Sequence, residues 1–132
     1  MSEQAKRVLV VDDEPDAREF VRAVAEDLGF AVLEGADGQE GLDIARRELP
    51  DAIVLDVQMP KLDGYSVFGE LRKDAATAKI PIVMLTGVSE RTGVPIDGEN
   101  MGEFLGSEPE AYIDKPIEPA LLAETLTRLL GA

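Results

Sequence analysis

The chain predicts an α/β fold in which a parallel β-sheet is covered by helices on both faces. Three observations predict it. Short apolar runs, such as Val8-Leu9-Val10-Val11, Ala52-Ile53-Val54-Leu55 and Ile82-Val83-Met84-Leu85, lack polar alternation, as strands buried on both faces do. Segments of helical periodicity separate most of these runs, the pattern of successive strand–helix units. Acidic residues follow two of the runs directly: Asp12 and Asp13 after the first, Asp56 after the second. A residue in that place sits at the carboxyl end of its strand, where open α/β sheets bind ligands.

The elements follow in order. Lys6 to Val11 reads as the first strand. Pro15 suits the first turn of a helix, where its missing N–H is harmless. Ala17, Phe20, Val21, Val24, Ala25 and Leu28 then repeat with a 3.6 period, and Gly29 is placed to stop the helix. Ala31 to Glu34 reads as a short second strand. Asp37 can cap a helix through Leu42, Ile44, Ala45 and Leu49, which Pro50 ends. Ala52 to Asp56 is the third strand, and Val57 to Leu62 is a loop holding Pro60. Asp63 and Gly64 open a helix with Val67, Phe68 and Leu71 on its inner face. Ile80 to Leu85 is the fourth strand and Ala111 to Asp114 the fifth. Glu118 to Leu130 is the last helix, with Leu121, Leu122, Leu126, Leu129 and Leu130 apolar. Between strands four and five, residues 88–110 are interrupted by Gly93, Gly98, Gly102, Gly106, Pro95 and Pro109. Both residue types weaken helices, so an irregular segment is expected there, with at most a short helix over Gly98 to Leu105.

Composition narrows the function. A chain of 132 residues is expected to form one domain with its own core. Cysteine and histidine are both absent, which removes disulfides, zinc–thiolate sites, thiol chemistry and the commonest general base. The net charge of −14 argues against a nucleic-acid surface, which needs clustered Lys and Arg. No apolar run approaches the roughly 20 residues of a membrane span, and residues 1–7 lack a signal-peptide core. The expectation is a soluble, cytoplasmic protein that binds neither nucleic acid nor membrane.

If the first and third strands are neighbours, Asp12, Asp13 and Asp56 meet in one crevice. Like charges at that range raise one another's pKa unless a cation compensates. Oxygen ligands in a hydrated crevice suit Mg²⁺. Thr86 ends the fourth strand and Lys115 follows the fifth, so a hydroxyl and an ammonium join the acids. Such a set suits phosphoryl transfer. One carboxylate can attack as nucleophile, others can hold metal, and Lys and Thr can address phosphoryl oxygens. Each residue also has a plainer reading. Asp12 and Asp13 could cap the first helix, and Asp56 could be a turn residue. Thr86 could satisfy backbone, Lys115 could be a solvated lysine, and Tyr112 could be an ordinary core aromatic.

The ordered motifs Val-Val-Asp12-Asp13-Glu14-Pro15, Val-Leu-Asp56-Val-Gln58-Met59-Pro60 with Asp63-Gly64, Met-Leu-Thr86-Gly87 and Tyr112-Ile-Asp-Lys115-Pro116 resemble the receiver domain of bacterial two-component response regulators. The resemblance implies a (βα)5 flavodoxin-like, doubly wound sheet of strand order 2-1-3-4-5, and the Gly- and Pro-rich segment makes the fourth helix region irregular. It implies one receiver domain over residues 1–132 without an effector domain. Asp56 would be the phosphoacceptor, charged by a histidine kinase or histidine phosphotransfer protein. Asp13 and Asp56 would bind Mg²⁺ directly, together with the backbone carbonyl of Gln58, and Asp12 through water. Thr86 and Lys115 would contact the phosphoryl group, and Tyr112 would be the switch aromatic. The protein would catalyse only its own phosphorylation and dephosphorylation, and would control an unknown output protein through the face of strands four and five.

The departures from the family pattern cluster in one place. The interval from Thr86 to Lys115 is longer than usual, Gly87 replaces a frequent Ala, and Gly106-Ser-Glu-Pro109-Glu-Ala111 replaces a Gly-Ala-Asp lead-in to the fifth strand. Gln58 and Val88 occupy the family's positions that tune dephosphorylation, and an apolar Val88 implies a long-lived phosphoryl group. Besides a pseudo-receiver that binds partners without phosphate, against which the presence of all five site residues argues, two alternatives stand beside a stand-alone receiver. One is a receiver module excised from a larger hybrid kinase or regulator. The other is a Mg²⁺-dependent aspartyl-phosphate phosphatase, which would need a second acid where Gln58 stands.

Overall fold

The computed structural model describes residues 5–59, 63–87 and 109–131. Five strands run β1 (Arg7–Val11), β2 (Ala31–Gly35), β3 (Ala52–Asp56), β4 (Ile82–Thr86) and β5 (Ala111–Asp114). Four helices are described: α1 (Pro15–Asp27), α2 (Gly38–Glu48), α3 (Gly64–Lys73) and α4 (Pro119–Leu130). The sheet is wholly parallel in the order β2-β1-β3-β4-β5, as expected. The expected short helix over Gly98 to Leu105, the loop residue Pro60 and Val88 lie outside the described residues.

Alternation along the strands divides the core in two. Leu9, Val11, Ile53, Leu55, Ile82 and Met84 face α2 and α3, where they meet Leu42, Ala45, Phe68 and Leu71. Val8, Val10, Val54, Val83 and Leu85 face the other way, against Val21 and Ala25 of α1 and Leu122 and Leu126 of α4. Central strands covered on both faces have no polar side, which is why their runs read as continuous apolar sequence.

Local chemistry sets the helix ends. The Asp37 carboxylate accepts the N–H of Glu40 at 2.8 Å, and Asp63 accepts that of Ser66 at 2.9 Å, so both act as N-caps. Gly29 follows α1 with φ of 94°, a left-handed conformation open to glycine. Most boundaries agree with the sequence reading to within a residue. β4 differs more: it begins at Ile82 rather than Ile80. Pro81 has no N–H to donate to a ladder, and the carbonyl of Ile80 accepts instead from Arg72 at 2.9 Å.

Candidate functional site

The register of the sheet builds the site. Val11 of β1 lies opposite Leu55 of β3, so the residues that follow them, Asp12 and Asp56, emerge side by side at the carboxyl edge. Asp13 lies one residue further along. Carboxylate oxygens of Asp12, Asp13 and Asp56 all lie within 4.8 Å of one another. Asp12 and Asp56 are buried and Asp13 is exposed.

Lys115, just beyond β5, reaches into this group. Its Nζ lies 3.1 Å from Asp12 Oδ2, 3.2 Å from Asp56 Oδ1 and 3.8 Å from Glu14 Oε1. Among the described residues, a single ammonium thus faces several acids. Burial pushes the Asp56 carboxyl up to about 6, and the neighbouring Asp12 charge adds to the effect. Lys115 and the backbone N–H of Gln58 oppose it without cancelling it. Burial alone would lower the Lys115 ammonium, but Asp56 and Asp12 hold it above its ordinary value.

Three residues position the acids and were given no role at the site from sequence, although Glu14 and Gly64 stood within its motifs. Arg18 of α1 donates from Nη1 to the carbonyl of Asp12 at 2.7 Å and pairs with Glu34 at 3.1 Å, fixing the β1–α1 turn. Glu14 donates its N–H to Asp12 Oδ1 at 3.0 Å. Asp12 therefore accepts a backbone N–H in the turn before α1 but does not cap the helix as the plainer reading held, since Glu14 is the N-cap residue and no side chain caps α1. Its second oxygen faces Lys115. Gly64 opens α3 against the end of β3. A Cβ there would collide with the carbonyl oxygen of Asp56 and lie 2.6 Å from the Cα of Val57. The signal for Gly64 was present in the Asp63-Gly64 pair, but its reason is a tertiary contact.

Thr86 ends β4 one step past Leu85, the register partner of Asp56. It is 3% exposed, and its hydroxyl donates to Asp114 Oδ1 at 2.9 Å rather than to backbone. Tyr112 is half-buried on β5 and packs on the core cluster that includes Met84. Gln58 lies exposed just beyond β3.

A hard cation fits the donor set. Asp12, Asp13 and Asp56 supply oxygen only, and their carboxylate oxygens lie close enough together to share one ion.

A doubly wound sheet with an acid cluster at its carboxyl edge, faced by a lysine from the end of β5 and with a threonine ending β4, defines a class of signalling domain. The sequence profile of the response regulator receiver domain matches residues 8–127, and the chain belongs to that family, whose members are components of two-component systems. It is 39% identical over 127 residues to the probable transcriptional regulator ycf27 of Porphyridium aerugineum, covering 96% of this chain and 49% of that protein. The chain thus spans about half the length of the ycf27 relatives it matches. It is 32% identical to Protein PilH of Pseudomonas aeruginosa, covering 95% of this chain and 98% of PilH. Among solved structures, the receiver domain of the sensor histidine kinase PA1611 from Pseudomonas aeruginosa superposes with a TM-score of 0.80 at 32% identity. That match covers 98% of this chain and all of that one, and that structure has a magnesium ion coordinated in its active-site cleft. No described helix is long and apolar enough to cross a membrane.

Proposed function

We propose that the chain is a phosphoacceptor receiver in which Asp56 takes a phosphoryl group from a phosphohistidine on a histidine kinase or phosphotransfer protein. The observation that carries the reading is the gathering of Asp12, Asp13 and Asp56 within 4.8 Å, with Lys115 3.2 Å from Asp56.

Asp56 attacks phosphorus through a carboxylate oxygen. The new P–O bond forms as the P–N bond to the donor imidazole breaks, and that bond's electron pair returns to the ring nitrogen. The carboxylate must be ionised to attack, and Lys115 favours that form. As charge collects on the phosphoryl oxygens, the Lys115 ammonium is already in place to meet it. Thr86 can donate its hydroxyl to another of those oxygens. Asp12, Asp13 and Asp56, with the Gln58 carbonyl, would hold Mg²⁺, which when bound offsets negative charge shared by the acids and the phosphoryl group. Asp12 is bonded to the Glu14 N–H and to Lys115, which suits it to the outer, water-mediated place.

Phosphorylation adds about −1.5 to −2 charge and three acceptor oxygens. Thr86 and Lys115 move toward it, and Tyr112 follows Thr86 inward. The β4–β5 edge then presents a different surface to a protein partner, a local charge event biasing a two-state element. Receiver domains signal with histidine kinases and output domains; the output protein here is a partner of that kind, reached in the cytoplasm. Position 58 carries Gln, which favours this reading over a phosphatase with a general acid there.

The test is incubation with acetyl phosphate and Mg²⁺, followed by intact mass. A single phosphoryl adduct is expected in wild type and none in Asp56→Asn. An adduct that survives Asp56→Asn, or no adduct in wild type, rejects the proposal.

A further inference from the structure

Thr86 and Asp114 are register partners on β4 and β5, and partners in a parallel pair project to the same face of the sheet. The Thr86 hydroxyl donates to Asp114 Oδ1 at 2.9 Å. Thr86 is 3% exposed, whereas Asp114 lies at the exposed end of its strand. A threonine hydroxyl has one proton to give. If it is spent on Asp114, it is not available to a phosphoryl oxygen on Asp56.

We propose that Asp114 is a positioning residue that holds Thr86 in its unphosphorylated orientation and competes with the phosphoryl group for the only hydroxyl proton of Thr86. The proposal rests on the reading of Asp56 as phosphoacceptor. Its physical basis is an asymmetry between the two partners. A hydroxyl bonded to a carboxylate makes a charge-assisted bond, so the resting orientation is favoured. The buried donor loses more than it gains by leaving Asp114 unless another acceptor is present. The acceptor is exposed, so water replaces Thr86 at Asp114 at little cost. The bond therefore yields when a phosphoryl oxygen arrives and re-forms when it departs. The alternation of side chains along the chain contributes: Asp114 addresses β4 while its neighbour Lys115 addresses the acids. One dipeptide thus carries a group for each state. Tyr112 lies two residues earlier on β5, so release of Thr86 is felt at the edge where the signal leaves.

The experiment uses wild type, Asp114→Ala, Asp114→Asn, and both Thr86→Val and the Thr86→Val/Asp114→Ala pair, the valine matching threonine in shape without a hydroxyl. The first readout needs no metal: three-bond NMR couplings report the χ1 rotamer of Thr86. One rotamer is expected in wild type, averaging in Asp114→Ala, and an intermediate in Asp114→Asn, which keeps an acceptor oxygen. The second readout is the affinity for beryllofluoride, a phosphoryl mimic, in Mg²⁺. Asp114→Ala is expected to bind about three- to tenfold tighter, the range for one such hydrogen bond at a solvent-facing acceptor. The gain is expected to vanish in the Thr86→Val background. An unchanged rotamer and affinity in Asp114→Ala overturns the proposal. So does a gain that persists without the Thr86 hydroxyl, because it would report only the loss of a negative charge. A wild type that binds no beryllofluoride defeats the phosphoacceptor reading and this proposal with it; a wild type that binds while Asp114→Ala changes nothing defeats the proposal alone.

Discussion

The two ends of the sheet handle charge in opposite ways. At the amino edge, ions are matched. Arg72 donates to both oxygens of Glu110 at 2.8 and 3.0 Å, to the carbonyl of Ile80 at 2.9 Å, and lies 4.7 Å over the ring of Phe68. Glu110 in turn accepts the N–H of Ile82 at 2.7 Å. Arg7 pairs with Glu48 at 3.0 Å, and Asp51 accepts the Arg7 N–H at 2.8 Å. At the carboxyl edge, Lys115 is the one ammonium among the described residues that faces Asp12, Asp56 and Glu14, with Asp13 close by. The first arrangement closes a structure. The second gathers acids about one described ammonium and leaves them open to a further ligand. Function lies where the electrostatics are left incomplete.

Breaking the matched end should have the largest effect on stability and the least on chemistry. Arg72→Ala leaves Glu110 without its bidentate partner and is expected to lower unfolding free energy by about 2–3 kcal/mol in a urea melt. Phosphoryl uptake from acetyl phosphate, measured below the melting range, should be unchanged. Gly64→Ala strikes the joint between the core and the site. Its methyl group collides with the backbone of Asp56 and Val57, so a loss of about 2 kcal/mol is expected, here accompanied by slower phosphoryl uptake.

At the incomplete end the sign reverses. The Asp56 carboxyl titrates at about 6 in the folded protein, above its ordinary 3.8. A raised acid stabilises the fold fully below the unfolded value, and that contribution is lost as pH rises through 6. Metal-free Asp56→Asn should therefore be more stable than wild type at pH 7–8, by about 1–2 kcal/mol after allowance for solvent screening. The difference should shrink as pH falls through 6 and vanish below about 4. Thermal melts across that range check it. The smallest effect is expected from Lys115→Met. Loss of the ammonium nearest Asp56 among the described residues should reduce metal-free stability at pH 8 by up to about 1 kcal/mol and move the Asp56 midpoint further up.

Much of this contrast was legible in the sequence, because the acids, Thr86 and Lys115 each sit directly beside an apolar run, and the end of a buried run marks the edge of a sheet. The parallel arrangement followed from the alternation of apolar runs with helical segments, and the strand order from the motif resemblance. Other features depend on distances that no run of residues encodes. Asp114 stood inside a recognised motif, but its bond to Thr86 needs the β4–β5 register. Gly64 read as a helix opening, while its close approach to Asp56 depends on how α3 seats on β3. Arg18 lies on the first helix with no sign that it would turn back to the carbonyl of Asp12. The two-residue shift in the start of β4 has the same origin, since Arg72 claims Ile80 from another element.

The central claim is that Asp56 sits in a buried acidic pocket that raises its carboxyl and can take a cation. A carboxyl ¹³C NMR titration of Asp56, without metal and then in Mg²⁺, tests it most directly. The expected midpoint is about 6 without metal, falling to well below that when Mg²⁺ is added. An ordinary midpoint of about 4 that is insensitive to Mg²⁺ would contradict the account.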